Sequence, residues 1–252
     1  MTTPALPLFR ASWKMMLRSR GVIFAVVAAS FQIVFFGLME NLDFGFAGES
    51  IRFFDFVLPG FGVFLIVYQI QDIMVAVAAS YKVRGILKRL TTTPLSPSTF
   101  IGVQTLTYVG LGVVASALVL AIGKLVGGKL AISANLLWLI PLIALVVLTS
   151  IAIAFAIAGL TPNPQTASNV GGTLSFLLFA LTGAMLPVEA LPGVLPDIVP
   201  YAVPHTSLIE AIRGIALTGD SITAYGEQVL VGLVWLVVAF TVAAISYRFT
   251  EE

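Results

Sequence analysis

The sequence predicts an all-α membrane protein: six transmembrane helices with an N-terminal interfacial helix, an amphipathic cytoplasmic helix and an outer-leaflet re-entrant hairpin before the last span. Three observations carry that prediction. Hydrophobic residues make up 59% of the 252 and charged residues 10%, whereas a soluble chain carries ~25% charge to cover its surface. The apolar residues fall in unbroken runs of about twenty, the length a helix needs to cross the hydrocarbon, and not in ten-residue alternations as in a β-barrel. The basic residues, finally, gather in one set of loops. All of this describes a single transmembrane domain over residues 1–252.

Residues 1–20 open it. On a helical wheel Leu6, Phe9, Trp13, Met16 and Leu17 share an arc beside Arg10, Lys14 and Arg18, which suits a helix lying among lipid headgroups. A positively charged topology anchor without fixed structure is the alternative. The predicted spans follow at Gly21–Met39, Phe56–Ser80, Thr99–Gly123, Asn135–Leu160, Ser168–Leu186 and Gln228–Arg248. Arg10, Lys14, Arg18, Arg20, Lys82, Arg84, Lys88, Arg89 and Arg248 lie on one side, and only Arg52, Lys124, Lys129 and Arg213 on the other. The positive-inside rule therefore puts both termini in the cytoplasm.

Between spans two and three, residues 81–96 form the most informative stretch. Val83, Ile86, Leu87 and Leu90 fall on one face of a predicted helix Tyr81–Leu90, and Lys82, Arg84, Lys88 and Arg89 cover the rest. Pro94 stops that helix and Ser96-Pro97 restarts one, with serine as N-cap and proline at the first position. Such a helix either covers the membrane surface or docks a soluble partner. Residues 187–227 face outward but are apolar. Pro187, Pro192, Pro196, Pro200 and Pro204 punctuate them, and Ser207 to Glu210 reads as a capping box for a helix ended by Gly214. Broken apolar helices of this kind fit a re-entrant hairpin; a surface-lying loop is the alternative.

Asp72 is the one acid deep in a span, about 12 Å from its cytoplasmic end. Tyr68, Gln69 and Gln71 flank it, and Gln32 and Gln104 in neighbouring spans are candidate partners. Two readings stand for this group, a cargo path or interhelical packing. Motifs for chemistry are absent. The sequence has no P-loop, no G-x-S-x-G, no H-E-x-x-H and no G-x-G-x-x-G. With no cysteine and one histidine, His205, thiolate and His-cluster metal sites are excluded. Catalytic, cofactor-binding and metal-binding residues are each read as none.

Phe56-Val-Leu-Pro-Gly60, Lys82-Val-Arg-Gly-Ile-Leu-Lys-Arg-Leu-Thr-Thr-Thr-Pro-Leu-Ser96, Gly183-Ala-Met-Leu-Pro187 and Pro204-His-Thr-Ser-Leu-Ile-Glu-Ala-Ile-Arg213 together resemble the permease subunits of type-2 ABC transporters. The resemblance covers nearly the whole chain. It implies an export permease of a bacterial inner (plasma) membrane that pairs with a second copy of itself and with two copies of a separate ATPase subunit. That subunit would hold the ATP and Mg; this chain would hold no cofactor and contact membrane lipids but no nucleic acid. Val83, Arg84, Gly85, Ile86, Leu87, Lys88, Arg89 and Leu90 would couple to the ATPase. Pro187, Pro192, Pro204, Glu210 and Arg213 would form the outer gate. The family usually has an acid just before the glycine where this chain has Arg84, so a more acidic partner groove is expected, or salt bridges running the other way. The short chain resembles exporters of drugs, antimicrobial peptides or lipids. An intramembrane lipid-modifying enzyme and a non-transporting anchor or sensor subunit are the alternatives.

Overall fold

The computed structural model describes residues 5–18, 20–38, 52–86, 89 and 95–247. Among these it is all-helical. Helix α1 (Ala5–Leu17) is followed by α2 (Arg20–Leu38), and the two are bent by 60°. Then come α3 (Phe53–Val83), α4 (Pro97–Leu125), a 3-10 turn Ala134–Trp138 leading into α5 (Leu139–Leu160), and α6 (Pro164–Leu181). Two short helices, α7 (Leu195–Ala202) and α8 (Thr206–Thr218), precede α9 (Gly226–Ser246).

Phe53–Val83, Pro97–Leu125, Ala134–Leu160 and Ile222–Ser246 are long and apolar enough to cross a bilayer, and counting α1 and α2 as one bent span makes five. This is a multi-pass membrane protein. The predicted fifth span, Ser168–Leu186, needs correcting. Asn163 caps the helix, its side chain accepting from Thr166 N at 2.9 Å, and Pro164 takes the first position. So α6 begins four residues early in a polar stretch and stops at Leu181, before Gly183 turns the chain at φ +67°.

Helix α3 is the hub. It packs on α2, α4, α5, α6 and α8, and 61% of its most apolar window is buried, against 11% for the window ending α9. Helix α9 therefore lies at the periphery, against α5 and α8. Small residues let these helices close up: Gly171 faces Val75, and Gly112 faces Val147 and Ile70. Helix α1 docks on α4, placing Trp13 against Gly110. Only part of the predicted apolar arc is used in that contact. Met16 is buried and Phe9 stacks on Trp13, while Leu6 and Leu17 remain exposed.

Two expectations for residues 187–227 also change. No capping box opens α8, since His205 is its N-cap and the Ser207 hydroxyl donates to the Pro200 carbonyl instead. Gly214 does not end it either; the helix runs on to Gly219, whose φ of +76° makes the left-handed stop. Gly214 is needed for another reason, because a side chain there would collide with the Tyr225 ring.

Candidate functional site

Three groups of predicted site residues occupy three levels along α3. At the end where α3 stops, the predicted helix Tyr81–Leu90 is broken. Tyr81, Lys82 and Val83 are the last turn of α3, Arg84 N still bonds to Ser80 O at 3.0 Å, and Gly85 takes φ +60° with open space around it. A helical bond from Arg89 N to Gly85 O at 3.1 Å restarts the chain beyond. Val83 thus belongs to α3 and not to the face of Ile86, because the left-handed glycine reorients everything after it. Val83, Arg84 and Arg89 are exposed, and Ile86 is half-buried. Leu87, Lys88 and Leu90, with residues 91–94, lie outside the described residues. Lys82 is occupied elsewhere: its ammonium reaches the Gly159 carbonyl at 3.2 Å and Thr161 O at 3.5 Å, capping α5. At the same end Tyr247 of the α9 C-cap donates to Ala78 O at 2.7 Å.

Midway along α3, Asp72 finds neither of its candidate glutamine partners. Its carboxylate accepts from the Ser175 hydroxyl of α6 at 3.5 Å, and the same hydroxyl accepts from buried Gln71 at 2.8 Å. Gln104 donates instead to Tyr81 at 3.2 Å. Gln69 lines a small separate cavity with Val22, Val26 and Leu111. Gln32 and Tyr68 both line an open cavity of about 230 Å³ together with Phe61, Phe64, Leu65, Phe176 and Phe179. The helical spacing of residues 61, 64, 68 and 72 was the available sequence signal, since it puts all four on one face of α3.

At the opposite end, α8 delivers Arg213 into the start of α3. Its Nε donates to Phe56 O at 3.2 Å, its Nη2 to Gly183 O at 2.6 Å and Ala184 O at 3.4 Å, and the guanidinium lies 3.7 Å from the Phe56 ring centroid. The predicted gate residues meet here only in part. Glu210, three residues before Arg213, is exposed. Pro187 and Pro192 bracket the 3-10 turn Val188–Ala190, and Pro204 sits in the turn between α7 and α8. The loops at this end of the bundle are tied to α8 and the start of α3. Asp55, paired with Arg52 at 2.9 Å, accepts from Lys129 N at 2.7 Å, Ala131 N donates to Ala216 O at 2.8 Å, and Asn135 to Gly219 O at 2.8 Å.

One contact was invisible in the sequence. His205 Nε2 lies 2.9 Å from the Ser150 hydroxyl of α5. Both side chains are buried, His205 Nδ1 has no partner, and burial pushes the imidazole down to about 4. A neutral ring with no acid to orient it, sealed from substrate, is packing and does not build a hydrolytic triad. No cluster of metal-ligating side chains occurs among the described residues.

No curated protein matches the chain. The family profile of the ABC-2 type transporters matches residues 6–217, from α1 to the last turn of α8. The chain whose central helix carries the three groups described above therefore belongs to the ABC-2 type transporter membrane family.

Proposed function

We propose that this chain is the membrane-spanning half of an ATP-driven exporter, working as a pair of copies on two copies of a separate ATPase subunit. The six helices α2, α3, α4, α5, α6 and α9 cross the bilayer with both termini cytoplasmic, α1 lies in the interface, and α7 and α8 form the outer re-entrant cap. One observation supports this reading most: α3 is a single helix of 31 residues, about 46 Å long. It ends at the segment expected to meet the ATPase, lines the cavity, and begins where Arg213 holds the outer cap. A push on the end of α3 at residues 82–84 is thereby delivered to both the cavity and the outer face through one continuous helix. The cargo path runs past Gln32, Tyr68 and Asp72 and leaves at the outer cap near Arg213.

The test is to co-express the chain with a P-loop ATPase subunit of an ABC-2 type transporter from the same genome and to reconstitute the purified complex in proteoliposomes. The expected result is a complex that hydrolyses ATP and exports a fluorescent drug-like or lipid cargo. Leu87→Asp, which would place a carboxylate in the partner's groove, should abolish co-purification while the chain still inserts. An intact, coupled complex in that variant would place the coupling route elsewhere.

A further inference from the structure

The cavity between α2, α3 and α6 has a chemistry that export alone does not require. Tyr68, which lines it, stands one helical turn before Asp72 on the same face of α3. The rings of Phe61, Phe64, Phe176 and Phe179 supply most of the remaining wall, and Phe179 lies 5.5 Å from Phe61 and 5.9 Å from Phe64, centroid to centroid. Among the described residues no lysine or arginine lines it. Lys82 and Arg213, at either end of α3, are engaged elsewhere, Lys82 on the carbonyls that end α5 and Arg213 on those of Phe56 and Gly183. Asp72 accepts from the Ser175 hydroxyl at 3.5 Å, which positions a carboxylate without neutralising it.

From this we infer that the cavity binds lipophilic organic cations, with the aromatic rings offering their faces to the positive charge and Asp72 supplying the counter-charge. The inference rests on the permease reading and deepens it by naming the cargo class. Ring faces carry negative potential and favour cations over anions of the same size. A carboxylate within a membrane bundle that has no basic partner is completed by an incoming cation and repels an anion. A sugar chain would need many hydrogen-bonding groups, and this wall offers Gln32 and Tyr68. The cavity opens beside exposed Gln32 and Phe176, so a cation larger than the enclosed space is embraced on one side.

The test compares tetraphenylphosphonium with tetraphenylborate, ions of nearly equal size and shape and opposite charge. Each is measured by equilibrium dialysis against the full chain in phosphatidylcholine nanodiscs, with empty nanodiscs as background. Saturable binding above background is expected for the phosphonium alone. Asp72→Asn should weaken it about tenfold or more, Asp72→Glu should retain it, and Phe179→Leu should lose about three- to tenfold. Equal binding of both ions, no saturable phosphonium binding, or binding unchanged in both Asp72→Asn and Phe179→Leu would overturn the inference. The measurement omits the ATPase. A complex that exports with ATP although the chain binds no phosphonium therefore refutes the cation assignment alone, whereas phosphonium binding without ATP-driven export refutes the permease reading.

Discussion

Gly60 of α3 lies directly beneath the Arg213 guanidinium of α8, so closely that a Cβ at position 60 would fall on Nη2 and press against the Ala184 carbonyl. The arginine reaches the Phe56 and Gly183 carbonyls only because that glycine has no side chain. The Pro59-Gly60 pair near the start of α3 and Arg213 near the end of α8 thus act as one joint, although 153 positions separate Gly60 from Arg213.

Removing either half should loosen the contact between α8 and the start of α3. Arg213→Ala leaves buried carbonyls without donors and should cost on the order of 3 kcal/mol. Arg213→Lys should cost less but not nothing, because one ammonium does not reproduce the guanidinium fork. Gly60→Ala should destabilise by about 1–3 kcal/mol through overpacking. Because the two positions touch, the double variant Gly60→Ala with Arg213→Lys should cost less than the sum of its parts. Thermal unfolding of the detergent-purified chain measures all four, and strict additivity would show that the joint is not a direct contact.

His205 gives the protein an acid limb. Its imidazole, neutral when buried, must take up a proton as the chain unfolds, so its contribution to stability is complete above the unfolded value near 6.5. That contribution declines as pH falls towards the folded value of about 4. The loss across that window is on the order of 3 kcal/mol. His205→Gln should flatten the melting temperature between pH 6.5 and 4. An unchanged slope in the variant would mean that other groups set the acid limb.

Gln71 and Ser175 join α3 to α6 inside the bundle. A double-mutant cycle with Gln71→Leu and Ser175→Ala should return a coupling of about 0.6 kcal/mol and no more than about 1.7, the range for hydrogen bonds between membrane helices. Zero coupling would mean that the two side chains do not meet in the membrane.

The orientation is open to labelling, since the chain has no cysteine. A cysteine at Asp220, in the turn after α8, should react with an impermeant thiol reagent in intact cells. One at Asn163, the N-cap of α6, should react only after permeabilisation. Reaction at 163 from outside would invert the positive-inside assignment.

What the sequence by itself determined is what depends on local composition. Runs of apolar residues were enough to establish a multi-pass all-helical membrane protein, and the Pro-Gly, Thr-Pro-Leu-Ser and Pro-His-Thr-Ser segments were enough to reveal its family. Helix ends were legible where a side chain acts on its own turn, as at Ser96-Pro97, whose hydroxyl accepts from Thr99 N at 3.1 Å. They were misread where a backbone angle or a distant contact decides. Gly85 broke a predicted helix by turning left-handed, and Ser207 gave up its expected cap for the Pro200 carbonyl. Only the tertiary structure decided the pairings: Asp72 with Ser175 in place of Gln104, His205 with Ser150, and Arg213 with the start of α3. In a membrane the insertion of a helix into the bilayer follows from its own hydrophobicity, which is written along the chain. Which polar groups meet depends on the rotation and depth of each helix against its neighbours, and those are set by side-chain packing between residues far apart in sequence.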